Sequence, residues 1–328
     1  MSVFSRTRLP ATMLALLLLG ASAGAGASAY GYSYNNVFGL TISNPSGAIT
    51  VLNNVDLSRT TATLNGRSVI RGGSNIIDAP QATVGAVSKG ENDFSRQGMG
   101  GSAYSRGEAQ IISSQIPPFP PGSTSTNTAN AAEAFLPGMG SADASGRNGS
   151  TTAMAVNLVV GEPGATIAFN FQAAPFMQLY LDATAGKGSS VTANMTLSFS
   201  IIDASGQIVF NWTPDGLIGS GILGGTELAD GANLNTGYAQ TPLTNGSLFT
   251  YDRIGCGAPT GNGTGTGCDG SFSALSDNLV AGNYTLVLDI KNSVDLIFAP
   301  QTTPIPAPGT LALLGLGLLG LALIRHHC

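Results

Sequence analysis

Between Ser150 and Ala299 the chain repeats one pattern: short apolar-alternating or β-branched runs of strand length, set apart by turn residues. The runs are Thr152–Val160, Ala165–Phe171, Met177–Asp182, Val191–Asp203, Gln207–Trp212, Phe272–Leu279, Tyr284–Ile290 and Val294–Ala299. Gly161-Glu162-Pro163-Gly164, Ala185-Gly186-Lys187-Gly188 and Lys291-Asn292-Ser293 read as turns between them. Ala204-Ser205-Gly206 joins Ser198–Asp203 to Gln207–Trp212 as a hairpin. Recurrence every ~8–12 residues, with no long amphipathic helix between runs, predicts an all-β chain built as a β-sandwich, jelly-roll or immunoglobulin-like.

The earlier part of the chain carries the same signal less evenly. In YGYSYNNVFGLTIS, Tyr30, Tyr32 and Tyr34 share one strand face, a row that reads first as cross-strand packing or a covered edge, with stacking on sugar rings as the alternative. Ala48–Val55 and Arg59–Leu64 are two short runs with Asn-Asn and Asn-Gly turn signals. From about Arg71 to Gly149, Gly, Ser and the Pro117–Pro121 block break the pattern, which predicts a long irregular insertion on the sandwich surface, with a linker between two domains as the competing reading. Within it Ala109–Ile116 reads as ordered and Ala129–Leu136 as a short helix.

The two ends differ from this body. Met1 to Ala29 has Arg6 and Arg8, an apolar stretch around Met13–Leu19 and a small-residue end, Ala27-Ser28-Ala29. That order is a Sec-type signal peptide with a signal helix, cleaved before Tyr30 with Ala27 and Ala29 at the −3 and −1 positions. The last 25 residues run from Pro304 to Cys328. A Pro block precedes a charge-free run, Thr310–Ile324, with eight leucines, and Arg325-His326-His327-Cys328 closes the chain. As a hydrophobic helix that run spans ~22 Å, short of the ~30 Å hydrocarbon core. A short span set off by prolines suits a processed segment better than a permanent anchor. Residues 1–29, 30–303 and 304–328 are therefore read as leader, exported domain and tail.

The tail resembles a PEP-CTERM sorting signal, the C-terminal address that exosortases read in Gram-negative bacteria that make exopolysaccharide. Pro306 and Pro308 match the two motif prolines, Ala307 stands where the family has Glu, LALLGLGLLGLALIR matches the membrane helix, and Arg325 is the basic end. The resemblance implies a membrane-bound exosortase-type processing enzyme as partner and a transient anchor through the C-terminal helix. It further implies delivery to the cell surface or extracellular matrix, in association with exopolysaccharide, biofilm or floc.

Composition narrows what the body can do. Setting aside Arg6, Arg8 and Arg325 leaves ten basic residues against 18 acidic ones, a net charge of −8. Such a chain does not bind nucleic acid by neutralising phosphates. Cys256 and Cys268 bracket a Gly/Thr/Asn-rich loop, and a disulfide between them would stabilise by ~3 kcal/mol in an oxidising compartment. Cys328 belongs to the tail.

Both histidines, His326 and His327, are also in the tail, which removes Ser-His, Cys-His and His-based zinc schemes from the body. No GxSxG or P-loop occurs. Glu91, Glu108, Glu133, Glu162 and Glu227 are the carboxylates a glycoside-acting enzyme would draw on, and each reads first as a solvated surface group. Asp215-Gly216, Asp230-Gly231 and Asp269-Gly270 fit turns. None extends into a calcium-loop series, so the expectation is no cofactor, with a structural calcium ion as the alternative. The expected function is a non-catalytic cell-surface or matrix protein. The alternative is a carbohydrate-binding module stacking sugars on Tyr30, Tyr32, Tyr34 and Trp212; a glycoside-acting enzyme comes third.

Overall fold

The structure is a computed structural model describing residues 28–45, 49–112, 125–157, 164–260, 270–299 and 301. In chain order the strands begin with β1 (Ala29–Ser43), β2 (Ile49–Leu64), β3 (Arg67–Ser74), β4 (Asp78–Gly85), β5 (Tyr104–Ile111) and β6 (Thr126–Leu136). Then come β7 (Gly140–Val156), β8 (Ala168–Ala173), β9 (Phe176–Leu181), β10 (Ser190–Asp203), β11 (Ile208–Trp212) and β12 (Ile222–Leu223). The last are β13 (Gly225–Asp230), β14 (Thr236–Gln240), β15 (Phe249–Tyr251), β16 (Gly270–Ser276) and β17 (Gly282–Phe298). No described residue is helical. The fold is all-β, as the strand spacing predicts, and consistent with a sandwich.

Two antiparallel sheets face each other. The first runs β13-β16-β8-β1-β6-β5-β4, with β9 and β15 beside the start of β1. The second runs β12-β11-β10-β17-β7-β2-β3, with β14 beside the start of β10. β1 serves two neighbours in turn: Ala29–Tyr34 pairs with β9 and Phe38–Ser43 with β8. A register shift between Val37 and Leu40 makes the change, and Gly39 there sits at φ +64°, a conformation open to glycine. Asn65-Gly66 (φ +49° and +82°) is the predicted tight turn, joining β2 to β3.

Three expectations are corrected. Residues 71–149 are not an irregular insertion: they supply β4, β5, β6 and most of β7, and β6 lies beside β1 in the middle of the first sheet. Ala129–Leu136 is strand, not helix, because its residues alternate between two buried faces. Ala132, Ala134 and Leu136 point to the second sheet; Ala129, Ala131 and Phe135 point away from it. Lys291-Asn292-Ser293 is not a turn. β17 runs unbroken through it, and Asn292 is buried between the sheets, donating to Ser33 Oγ at 2.8 Å.

The space between the sheets changes character along its length. At one end Phe169, Phe171, Phe199, Phe210, Trp212 and Phe272 fill it, with ring centroids 4.8–6.3 Å apart. Across β5 and β7 it holds no large side chain. A β-carbon on Gly107 would overlap the Ser145 and Thr61 carbonyl oxygens, and one on Gly146 would overlap the Glu108 carbonyl oxygen. The two backbones touch there, well inside the ~10 Å usual between packed sheets. Short polar side chains bond across the gap: Ser58 Oγ to the Ala109 carbonyl (2.8 Å), Asn148 Nδ2 to that of Ala129 (3.0 Å) and Asn130 Nδ2 to that of Ile290 (3.0 Å).

Candidate functional site

Alternation along β1, β5 and β6 puts their large residues on the outer face of the first sheet. Tyr30 and Tyr32 come from β1, Tyr104, Arg106 and Glu108 from β5, and Glu133 and Phe135 from β6. The segment Ala86–Gly101 crosses this face as a strap. Phe94 is its anchor: the ring is fully buried although the backbone sits at φ +54°, a left-handed conformation costly for a non-glycine residue. The Phe94 carbonyl accepts from Tyr32 Oη at 2.6 Å, and that of Gly98 from Tyr104 Oη at 2.8 Å.

Arg106 lies at the centre, 1% exposed. β5 and β6 pair Arg106 directly with Glu133, so the ion pair follows from register: Nε and Nη2 both lie 2.8 Å from Glu133 Oε2. Nη1 faces Glu108 Oε2 at 3.3 Å and Asp93 at 3.6 Å, and Nη2 also donates to the Ser95 carbonyl. Glu133 accepts from Tyr30 Oη (2.8 Å) and from the strap amides of Gln97 (3.0 Å) and Gly98 (2.7 Å). Glu108 accepts from Gln81 Nε2 at 2.8 Å. Burial pushes the Glu108 carboxyl up to about 7, although Arg106 pulls the other way. Burial alone would lower Arg106; Glu108 and Glu133 more than offset it and hold the guanidinium charged.

Chemically this is a closed clamp. Arg106 and Glu133 bind the strap to the sheet, Glu108 faces Arg106 beneath it, and the polar atoms of Glu133 are committed to donors from three segments. The expectation that Glu108 and Glu133 are solvated surface groups is corrected, because the strap covers both. Glu91 receives the Gln81 amide at 3.2 Å on the exposed rim. Glu227 is corrected in the same way: it is buried elsewhere, on β13, accepting Trp212 Nε1 at 2.6 Å and the Gly219 amide at 2.7 Å.

The aromatic residues assigned to sugar stacking are corrected as well. Tyr30, Tyr32 and Tyr34 do share a face, but they are 1%, 0% and 3% exposed beneath the strap and Phe176. Trp212 is fully buried in the aromatic end of the core, stacked on Phe199. No ring of the four offers a face to a sugar. The clamp's arginine escaped the sequence reading; the signal that could have found it is Arg-x-Glu on an alternating strand opposite a run with a lone Glu133.

Of the Asp-Gly pairs, Asp230 Oδ2 accepts the amides of Asp215 (2.9 Å) and Gly216 (2.7 Å), closing a loop onto β13. Among the described residues no three His, Cys, Asp or Glu side chains converge as a metal site would require. Cys256 is disulfide-bonded, while Cys268, the expected partner, lies outside the described residues. Ala29 and Tyr30 open β1, so cleavage between them would leave the new N-terminus inside the sheet. Ala27, Glu162, Asp269, Pro306, Ala307, Pro308, Arg325, Cys328 and the expected signal and tail helices also lie outside the described residues. Among the described residues no helix is long and apolar enough to cross a membrane.

No family model matches this chain, and no curated protein does. Among solved structures it is compared with the infectious bursal disease virus Gx strain, at 13% identity over 88% of this chain and 73% of that one, with a TM-score of 0.10. The Gt strain of the same virus gives 11% identity over 89% and 73%, with a TM-score of 0.09. Likeness at that level carries no argument about fold or function.

Proposed function

We propose that this is an exported, non-catalytic structural protein of the cell surface or extracellular matrix, delivered by a PEP-CTERM-like tail and associated with exopolysaccharide. The observation that carries the reading is the clamp: of the candidate carboxylates, Glu108 and Glu133 are fully buried, Glu133 holding the strap amides and Glu108 facing Arg106 and Gln81. Groups committed to holding a fold together are not free to meet a substrate. The leader, the sorting-type tail and a body of low charge supply the rest of the support.

Intact-mass measurement of protein from its own host tests the reading. The expected mass lacks both residues 1–29 and the tail. Full-length material, or a body turning over glycosides with Glu108 intact and inactive as Glu108→Gln, would overturn it.

A further inference from the structure

The outer face of the second sheet carries a pattern that neither the core nor the clamp explains. Register places Lys291 of β17 opposite Arg147 of β7, and Arg147 opposite Arg59 of β2. Thr196 of β10 extends the same row beyond Lys291. All four are exposed. The strands are ~4.8 Å apart, so three cations stand side by side, an arrangement that is destabilising in isolation. Arg147 is relieved by Asp289 at 2.6 Å. Arg59 and Lys291 form no ion pair among the described residues. A body carrying −8 has thus concentrated three of its ten cations in one line.

The neighbouring row on that face is Ser293, Ser145 and Thr61, in register, with Thr61 and Ser145 hydroxyls 2.8 Å apart. Two residues further on, Asp295 and Asp143 stand opposite each other on β17 and β7. An anionic chain running along the strands would meet that acidic pair; one running across them would not.

We propose that the row Arg59–Arg147–Lys291 is a binding track for a linear acidic polysaccharide laid across the strands. Its carboxylates meet Arg59 and Lys291, and its hydroxyls meet the adjoining serines and threonines. The two outer cations are two strand spacings apart, ~9.5 Å, a span on the scale of a disaccharide repeat. Nucleic acid is the poorer fit, since so short a row neutralises few phosphates and no aromatic side chain stands in it to stack on a base. The track deepens the matrix reading by naming a ligand class. It rests on that reading for its biological setting alone, because binding by purified protein does not depend on processing.

The test is affinity electrophoresis of the purified mature chain through gels holding polygalacturonate or neutral dextran, at low and physiological salt. Polygalacturonate should retard the protein, dextran should not, and salt should weaken the effect. Arg59→Ser with Lys291→Ser should lower affinity roughly tenfold. Asp143→Asn with Asp295→Asn should raise it. The double-serine variant should melt no lower than wild type, because lateral repulsion is relieved. Equal retardation of wild type and the double-serine variant, retardation by dextran, or no retardation at all would overturn the proposal. So would sedimentation showing that the row instead pairs two copies of the chain.

Discussion

The two ends of the sandwich solve the same packing problem in opposite ways. Around β8, β10, β11 and β16 the bulk lies between the sheets, as phenylalanines and Trp212. Around β5, β6 and β7 glycine, alanine and serine let the backbones touch. There the bulk has moved outside, where Tyr30, Tyr32, Tyr104, Arg106 and Phe135 are covered by the strap. A sheet with so thin an interior buries little apolar area inward, and a third layer restores what is missing. The strap is therefore part of the core, not an ornament on it.

The sharpest way to break this contrast is Gly146→Val. Its side chain cannot fit without parting the sheets, so more than ~5 kcal/mol should be lost and soluble yield should collapse. A folded Gly146→Val would show that the backbones are not in contact. Next in size are two changes that should match each other. Phe199→Ala should cost ~3–5 kcal/mol by emptying the aromatic end. Arg106→Met should cost about the same, ~3–5 kcal/mol, by leaving Glu133 and Glu108 buried without their cation. Denaturant unfolding of both variants reads this; an Arg106→Met loss under ~1 kcal/mol would demote the strap to a surface loop.

A third measurement is pH. The Glu108 carboxyl sits near 7 in the folded protein and near its ordinary value when unfolded, so the folded state holds the proton more tightly. Its contribution is fully present below the unfolded value and is lost as pH rises through about 7. Wild type should lose ~3 kcal/mol between acid and mildly alkaline conditions, and Glu108→Gln should flatten that slope. The smallest effect is expected at Asn35, whose buried amide finds no hydrogen-bond partner among the described residues. Asn35→Val should be neutral or stabilising by up to ~1 kcal/mol.

The sequence spoke clearly where bulk faces inward. β8, β10, β11 and β16 alternate Phe, Leu, Ile or Val with polar residues and were legible as strands. β9 was legible as an apolar run, and β17 was legible only as two halves with a turn between them. It was silent where the sheets touch. β7 begins GSADASGRNG: its inward positions are Ala142, Ala144, Gly146 and Asn148, so the hydrophobic period disappears although the strand is among the longest. β6 misled for a related reason, since alanine favours helix until tertiary context overrides it. Asn292 looked like turn chemistry because the residues that bond across a thin interior are the same ones that make turns. The clamp was invisible because its partners come from the strap and from strands far apart in sequence, which no local pattern connects.

β17, the last described strand, lies in the middle of its sheet between β7 and β10. The two halves of the second sheet, β12-β11-β10 and β7-β2-β3, are joined only through it, and contacts of such long sequence separation form slowly. A chain made from its N-terminus would be almost whole before this sheet could close. Until β17 takes its place, the edges of β7 and β10 that flank it stay unpaired, a template for any other strand that reaches them.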